Sequence, residues 1–412
     1  MDIRFIDSEQ YRMAFESPLG PGRLELMAST QSVEHVMDNF TSRPPPLNRM
    51  GKPNFRESAP FGDTDTVKLS YAMQLESAAL LVGLDGDRDT HTAQIADPTN
   101  PLFYILNFND VERRRGGAFA VVTWAAGAWD LEADLRYNRV DMEAGEVGGY
   151  LGMMSPQQER LDELAAAFNA ADRSISDSHW VGALKGSRPL SERLRLNLGL
   201  GRKMRSPGYQ ERYLWLPLEA TAGLADGRTY IGNLDLEAEE SHELVVGVST
   251  EIGRFAMTPQ VYFRWVDDYI LGVPSENMLA NMIATMMSGS EPLRFDNVDA
   301  EIWGLDAAWT YEITDSLLLD GIVTAVLGAL LIAEWPGDSL WVIGTLFGVT
   351  LAFSAVNLLT TPASPDDGTP ARLLEHHDII KILTYAPELP GALELTARLV
   401  ELGIIAAAGH SS

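Results

Sequence analysis

Residues 194–202 read LRLNLGLGR, a stretch in which leucine occupies every second position and polar residues or glycine lie between. Because successive side chains of a β-strand point to opposite faces, this order produces one apolar face and one face of polar or small residues. The same alternation recurs at 67–75, 129–137, 255–265 and 303–311. The sequence is therefore predicted to be mainly β, with one apolar face on each strand.

The connections between these strands alternate between short and long. Short turns are predicted at 126–127, 188–192, 252–254 and 314–315, and long polar loops at 38–65, 90–116, 141–178, 203–241 and 267–299. Tight turns at one end of the strands and long loops at the other are typical of a transmembrane β-barrel, while a soluble β-rich binding protein is the alternative. We expect a partial antiparallel barrel over 1–320, with about twelve strands of about 9 to 11 residues, the length that crosses a bilayer when tilted.

Composition excludes several functions. The chain has 412 residues, with 58 acidic side chains against 31 Lys and Arg and a formal charge of −27. A protein that contacts phosphate backbones needs a basic surplus, so nucleic acid is excluded as a partner and cationic ligands are favoured. The chain contains no cysteine, which excludes disulfides and thiol chemistry. The start, MDIRFIDSEQYRM, lacks a basic segment followed by an apolar one, so no signal peptide is recognised.

The pattern changes near residue 320. Residues 321–333 and 339–359 are uncharged and apolar, with Glu-Trp-Pro-Gly-Asp between them. The second run has about the 20 residues that span a bilayer as a helix. We therefore expect an α-helical apolar hairpin over 321–359, followed by a Pro- and Asp-rich linker over 360–370.

Several segments resemble the barrel of the TonB-dependent outer-membrane receptors. Residues 205–213 read RSPGYQERY, and Gly232-Asn233 precedes the next strand; NFNDVERRRGGAF at 107–119 and LRYNRVDMEAGEVG at 135–148 are similar to other parts of that family. The resemblance implies a receptor in contact with outer membrane lipid and driven by the TonB system. Such a receptor takes up a metal chelate, as a siderophore or copper receptor does, and is not an enzyme. The family's plug, its TonB box and about ten leading strands are not recognised, so a fragment is expected.

The apolar hairpin at 321–359 resembles one repeat of the HdeD-type acid-resistance membrane proteins, in which a Trp-Pro break separates two apolar helices. A generic helical hairpin is the alternative. Long apolar helices retain a chain in the inner membrane, whereas barrel strands reach the outer membrane without them. We therefore expect a composite sequence in which only 1–320 carries a functional identity.

The tail at 371–412 is predicted to be a short α/β segment, with strands at 379–384 and 404–408 around a helix at 389–402. It resembles N-acetylglucosamine-6-phosphate deacetylases, and this resemblance implies that His410 is a metal ligand at the end of a barrel strand. A metal-dependent hydrolase needs several convergent ligands, so one histidine leaves the site incomplete. A metal-dependent amidohydrolase fragment is the alternative function.

Methionines are the candidate ligand-binding residues. They are Met278, Met282, Met286 and Met287 in one long loop and Met153 and Met154 in another. Thioethers are soft donors, so one interpretation is a copper site on the outer surface; the alternative is a loop helix whose Met face packs inward. His91, His179 and His242 are interpreted as solvated loop residues. No nucleophile triad, phosphate-binding loop or dinucleotide motif is recognised, so no catalytic residue and no cofactor are predicted.

Overall fold

The computed structural model describes most of the first 331 residues and four shorter stretches of the remainder. The described ranges are 2–47, 51–152, 156–218, 228–287, 289–314, 317–331, 350–357, 382–385, 398 and 405–408. Strand is the dominant conformation in them. Within these ranges none of the helices has the length and apolar character needed to cross a bilayer.

The elements of the described residues are as follows. The strands are β1 (Asp2–Leu19), β2 (Gly22–Asp38), β3 (Glu57–Gln74), β4 (Ala78–Ala96), β5 (Phe103–Ala126), β6 (Trp129–Glu143), β7 (Gly148–Leu151), β8 (Ile175–Ser191), β9 (Leu194–Arg205), β10 (Tyr230–Ile231), β11 (Glu239–Ile252), β12 (Phe255–Pro274), β13 (Leu293–Thr314), β14 (Leu317–Leu331), β15 (Thr350–Asn357), β16 (Ile382–Tyr385) and β17 (Ile405–Ala408). The helices are α1 (Pro156–Ala170), α2 (Tyr209–Tyr213) and α3 (Met278–Met287).

Strands that follow one another in the chain form antiparallel hairpins with tight turns. Two residues join β1 to β2, β5 to β6 and β11 to β12. Two-residue hairpin turns favour positive φ angles, and Gly20, Gly127 and Gly253 adopt φ of 58°, 63° and 63°. The structure thus confirms the predicted turns at 126–127 and 252–254.

The opposite ends of the strands are joined by longer connections. They span 39–56, 97–102, 144–174, 206–238 and 275–292. The predicted alternation of short and long connections is confirmed, but the loop predicted at 90–116 shrinks to six residues, 97–102. Its arginines 113–115 lie in β5, where Arg115 pairs with Asp87 and Arg113 with Asp89 of β4. A polar run was therefore mistaken for a loop because both members of each ion pair are polar.

Twelve of the strands described before residue 320 contain twelve residues or more. They are β1 to β6, β8, β9 and β11 to β14. The predicted number of strands is confirmed, whereas the predicted length of about 9 to 11 residues is too short, because these strands contain 12 to 24 residues. The turn predicted at 188–192 also moves to 192–193, since β8 continues to Ser191.

The long strands of the first compact unit (1–249, 259–306 and 324–349) lie in the order β1-β2-β3-β4-β5-β6-β8-β9-β11-β12-β13. One face of this sheet, here called the apolar face, exposes large side chains such as Leu84, Leu135, Trp180 and Leu200. A soluble sandwich would bury this face against a second sheet, yet Leu200 is 56% exposed. The apolar face therefore supports the barrel prediction over the soluble alternative.

The other face of the sheet, here called the polar face, is lined by paired charges. Asp85 accepts hydrogen bonds from Arg136 on β6, at 2.8 Å for Nη1, and Lys185 contacts Glu132 at 2.7 Å. Further along the sheet Arg264 contacts Glu243 at 2.6 Å. Opposite charges thus neutralise one another along the polar face.

The connections 144–174, 206–238 and 275–292 share one apolar cluster, here called the loop core. Its buried members are Ile95, Phe103, Ile105, Val147, Leu161, Leu164, Ala165, Trp215, Leu216, Leu218, Ile231, Ala280 and Ile283. They come from β4, β5, α3 and the connections 144–174, which includes α1, and 206–238. Segments distant in sequence therefore fold as one layer at the loop ends of the strands.

The second compact unit comprises 250–258, 307–323 and 350–412. In it the amide of Glu312 donates a hydrogen bond of 2.8 Å to the carbonyl of Arg254. The strands β16 and β17 pair in parallel, with Ile382 opposite Ile405.

The α-helical apolar hairpin predicted over 321–359 is wrong wherever this segment is described. Residues up to Leu331 belong to β14, and Thr350–Asn357 form β15. A continuous apolar run fits a strand as well as a helix, and β14 lies beside β13 in the sheet. Pairing with an existing strand therefore decided the conformation, which local hydrophobicity could not.

The tail strands predicted at 379–384 and 404–408 correspond to β16 and β17. In the predicted helix at 389–402, Arg398 is described and is helical. The linker 360–370 and His410 lie outside the described residues.

Candidate ligand cavity and its loop segment

A cavity of about 610 Å³ opens on the polar face at the loop ends of β2, β3, β4 and β5. The segment 205–209 lies over it, and this volume is within the range of about 300 to 1,000 Å³ that is usual for ligand sites. The side chains at its wall include Gln31, His35, Phe61, Thr64, Asp89, His91, Arg113, Arg205 and Tyr209. We call it the histidine cavity.

Two imidazoles line the histidine cavity from strands on either side of β3. His35 lies on β2 and His91 on β4, with Gly62 of β3 paired to His91. A Cβ atom at Gly62 would lie 2.7 Å from the carbonyl oxygen of Thr90. Glycine therefore allows the backbones of β3 and β4 to approach each other here. Met37 is two residues beyond His35 and therefore on the same face of β2. The wall thus offers two imidazole groups, and Met37 lies outside the residues that line it.

The prediction that His91 is a solvated loop residue is wrong. His91 lies within β4 and is half-buried, with its ring centroid 4.6 Å from that of Tyr209 and 5.5 Å from that of Phe108. The ring centroids of Tyr209 and Phe108 are 5.1 Å apart, with the rings edge to face. The rings of Tyr209 and Phe108 hold the imidazole at the cavity wall.

Charged side chains complete the wall. Asp89 accepts a hydrogen bond of 2.9 Å from the hydroxyl of Thr64 and one of 3.1 Å from Arg113. Arg113 also donates to Asp87 at 3.2 Å. The carboxylate of Asp89 at the cavity wall is therefore already engaged by protein donors, which leaves the imidazole nitrogens to meet a ligand.

The motif at 205–213 folds the segment that covers the cavity. Arg205 donates to both oxygens of Glu211, at 2.8 and 3.1 Å, and to both oxygens of Glu239, at 2.7 and 2.8 Å. Glu211 also accepts from the amide of Gly208 at 2.6 Å, which caps the first turn of α2. The arrangement R-x-P-x-x-x-E-R-Y thus forms a set of ion pairs and hydrogen bonds that positions Tyr209.

The glycine and asparagine at 232–233 hold the far side of the same segment. The amide of Gly232 donates to the carbonyl of Leu214 at 2.6 Å, and that of Asn233 donates to the carbonyl of Glu211 at 2.9 Å. A Cβ atom at Gly232 would lie 2.6 Å from the carbonyl oxygen of Arg212. Glycine is therefore required for these backbones to approach each other.

Two buried side chains anchor the segment to its surroundings. The Trp215 indole donates to the carbonyl of Leu106, and the Tyr213 hydroxyl donates to the carbonyl of Arg173, both at 2.9 Å. Burial raises the pKa of Tyr213 to about 12. Burial also lowers the pKa of Arg212, against the attraction of Asp177. The tyrosine hydroxyl therefore stays neutral and hydrogen-bonded at ordinary pH.

The predicted methionine site is partly described. Met278 is 74% exposed, while Met282 and Met286 are half-buried on α3. Met153 and Met154 lie outside the described residues, as does the side chain of Met287. The buried face of α3 consists of Ala280, Ile283 and Ala284, so the alternative in which the Met face packs inward does not hold for Met278.

The remaining histidines differ in exposure. His179 lies in β8 and is buried, contrary to the prediction of a solvated loop position, whereas His242 lies in β11 with its side chain 51% exposed. In the described part of the chain no group of three or more His, Cys, Asp or Glu side chains converges on a point where a metal ion would fit. A metal held in the cavity would thus need thioether or ligand-borne donors beside the imidazoles.

Comparison with known proteins decides the family. Residues 27–393 match the family described as TonB dependent receptor-like, beta-barrel. The chain belongs to this family. Members of the family are outer-membrane transporters and not enzymes. The matched range includes 321–359 and most of the tail, so neither the HdeD-like hairpin nor the deacetylase-like tail has support.

Solved structures show the same fold. The receptor chain is similar to the copper transporter OprC, with a TM-score of 0.60, 21% identity, and coverage of 79% of this chain and 47% of that one. It is also similar to the ferric yersiniabactin uptake receptor FyuA from Yersinia pestis (TM-score 0.52, 13% identity, 78% and 42% coverage). A third similar structure is the alcaligin outer membrane receptor FauA from Bordetella pertussis (TM-score 0.50, 12% identity, 81% and 48% coverage). The chain spans about half the length of each, and no match was found among curated proteins.

Proposed function

We propose that this chain forms the ligand-binding part of an outer-membrane receptor that takes up copper, with energy from the TonB system. The observation that carries the proposal is the pair of imidazoles at the wall of the histidine cavity, His35 and His91. Met37 follows His35 on the same face of β2, next to the cavity's lining residues. Imidazole suits copper and other late transition metals, and thioether selects the soft monovalent form. The apolar face meets the lipid, as the exposure of Leu200 and Trp180 supports.

Charge and similarity support a copper cation over an anionic ligand. The net charge of −27 attracts cations to the surface. The copper transporter has the highest TM-score of the three structures compared above. The polar face contributes acidic partners for many of its arginines, as with Asp89 and Arg113. The charge of the chain thus attracts a positive ligand, and the cavity presents imidazole nitrogens to it.

A second candidate ligand is a preformed metal chelate. The volume of about 610 Å³ exceeds what a bare ion needs, and Arg113, Arg205 and Tyr209 provide donors for an organic ligand. Siderophore receptors are among the similar folds. In this case the imidazoles of His35 and His91 would fill positions that the chelator leaves free.

The test is metal affinity of the full chain in detergent, measured by competition with a chromogenic Cu(I) chelator. We expect the double variant His35→Ala/His91→Ala to bind Cu(I) at least tenfold more weakly. The control is His242→Ala, which removes an exposed imidazole from β11 and should leave the affinity unchanged. Equal affinity in the double variant and the wild type refutes the copper proposal. Binding of a ferric chelate, followed by tryptophan quenching, with no Cu(I) binding would favour the second candidate.

A further inference from the structure

A β-bulge in β5 lies directly beside His91. His91 of β4 pairs with Val111 of β5, whereas Ala93, two residues further along β4, pairs with Phe108. Strand β5 therefore contains one residue more than β4 between these two pairs, and we call residues 109–110 the β5 bulge. Bulges bend a strand and are over-represented next to active sites, where they change the direction of a side chain. The position of the β5 bulge therefore suggests a role in the histidine cavity.

The β5 bulge decides which side chain lies next to His91. Residues that pair across two strands share a face, so Phe108 lies on the face of Ala93 and hence on that of His91. In a regular ladder Asn109 would pair with Ala93, and Phe108 would lie on the opposite face, because a slip of one residue inverts the alternation. Phe108 is instead buried, with its ring centroid 5.5 Å from that of His91. The bulge thus places an aromatic ring beside the imidazole.

Asp110 adopts the unusual backbone conformation within the bulge. Its φ is 44°, and in the described part of the chain only one other non-glycine residue, Asp268, has a positive φ. Asp and Asn visit this region more readily than other residues that carry a Cβ atom, and β-branched residues are strongly disfavoured there. Asp110 is exposed, so its backbone conformation distinguishes this position from its neighbours. Such a conformation persists only where the surrounding structure fixes it.

Hydrogen bonds from both sides fix the bulge. The carbonyl of Asn109 accepts from the amide of Gly145 at 2.8 Å, and its side-chain amide donates to the carbonyl of Glu146 at 2.8 Å. The amide of Asp110 donates to the hydroxyl of Thr92 on β4 at 3.3 Å. These bonds satisfy polar groups that the interrupted ladder leaves unpaired. The start of the connection 144–174 and strand β4 therefore hold the bulge between them.

We propose that Asp110 is a positioning residue of the histidine cavity, because its positive φ places Phe108 against His91 and so fixes the imidazole before a metal arrives. This inference rests on the proposed function, in which His91 is a metal donor. Phe108 also contacts Tyr209, edge to face at 5.1 Å, so the same ring supports the aromatic side chain over the cavity. A donor that is already ordered loses less conformational entropy on binding. The β5 bulge therefore increases the metal affinity of the cavity without touching the ligand.

The experiment uses variants of the full chain in detergent. Asp110→Val introduces a β-branched residue that resists positive φ, whereas Asp110→Gly and Asp110→Asn are matched controls that tolerate it. The first readout is the NMR spectrum of the metal-free chain with isotope-labelled histidine, because the ring currents of Phe108 and Tyr209 shift the ring protons of His91. His91→Ala assigns these signals, and Phe108→Leu shows where they lie without the neighbouring ring. The second readout is Cu(I) affinity.

We expect Asp110→Val to move the His91 signals toward those of Phe108→Leu and to weaken Cu(I) binding about tenfold, because fewer chains have the imidazole in place. The glycine and asparagine variants should keep the wild-type signals and affinity. Unchanged His91 signals in Asp110→Val, or equal changes in Asp110→Gly, would overturn the inference. If Asp110→Val does not fold, as judged by heat-modifiable migration, Asp110→Ala takes its place under the same criteria.

The two readouts separate this inference from the proposed function. The His91 signals are recorded without metal, so they decide the role of Asp110 even if the cavity binds no Cu(I). Failure of the copper proposal appears as equal Cu(I) affinity in the wild type and in His35→Ala/His91→Ala. Failure of the inference appears as His91 signals that do not depend on the residue at 110.

Discussion

Removing the Arg205 side chain should loosen the segment over the cavity. Arg205 makes four charge-assisted hydrogen bonds to Glu211 and Glu239, but its side chain is 47% exposed. An exposed ion pair contributes up to about 1 kcal/mol and a hydrogen bond to a charged group about 1.5 to 3 kcal/mol. After the discount for solvent, two bidentate pairs contribute about 2 kcal/mol to closure of the segment, which is about a thirtyfold change in its opening equilibrium.

The assay is hydrogen–deuterium exchange of the full chain with Arg205→Met, which keeps the apolar stem. The amides of Gly232 and Asn233 report directly, because they donate to carbonyls of the segment. They should exchange about thirtyfold faster, while amides in β4 and β5 stay unchanged. The control is Arg195→Met, because Arg195 forms one exposed ion pair with Asp130. Unaltered exchange at Gly232 and Asn233, or equal acceleration throughout the sheet, would refute the reasoning.

Three further outcomes are expected. The raised pKa of Tyr213 means that its neutral hydroxyl stabilises the loop layer fully below pH 10, and this contribution is lost as pH rises from 10 to about 12; tryptophan fluorescence against pH should show a transition that Tyr213→Phe lacks. Leu200→Arg places a charge on the apolar face and should cost about 2 to 4 kcal/mol of stability near the middle of the bilayer, measured by urea unfolding in lipid vesicles, whereas Asn197→Arg on the polar face should cost far less. Gly232→Ala should destabilise the loop layer by about 1 to 3 kcal/mol, because the new Cβ atom would lie close to the carbonyl oxygen of Arg212. Gly116→Ala is the control and should have a small effect in the same urea unfolding assay, because a Cβ atom there meets nothing within 4 Å.

The sheet could be predicted from local sequence because its signals are local. The alternation at 194–202 determines which side chains lie on the apolar face, and glycines such as Gly127 mark the turns. The lengths of the strands were harder to predict from the sequence. Whether a polar run such as 85–91 is strand or loop depends on the partner strand, here Arg113 and Arg115.

The candidate site was mostly beyond prediction, for the same reason. His35, His91 and Tyr209 are separated by more than fifty residues each and meet only through strand order and a folded connection. The motif at 205–213 was the usable signal. It was recognised as a family feature, but the sequence did not show that its Arg205 and Glu211 position Tyr209 over the cavity. The common face of Met278, Met282 and Met286 on α3 could be predicted from the sequence, because residues four apart on a helix lie on the same side.

The loop core restricts how a receptor of this kind can diversify. Because Leu161, Trp215 and Ile283 pack in one cluster, a change of volume in one connection requires compensation in the other two, and these segments should evolve together. The connection 39–56 has its own aromatic pair, Phe40 and Phe55. Insertions, and escape from antibodies or phages that bind the surface, should therefore accumulate in this connection first.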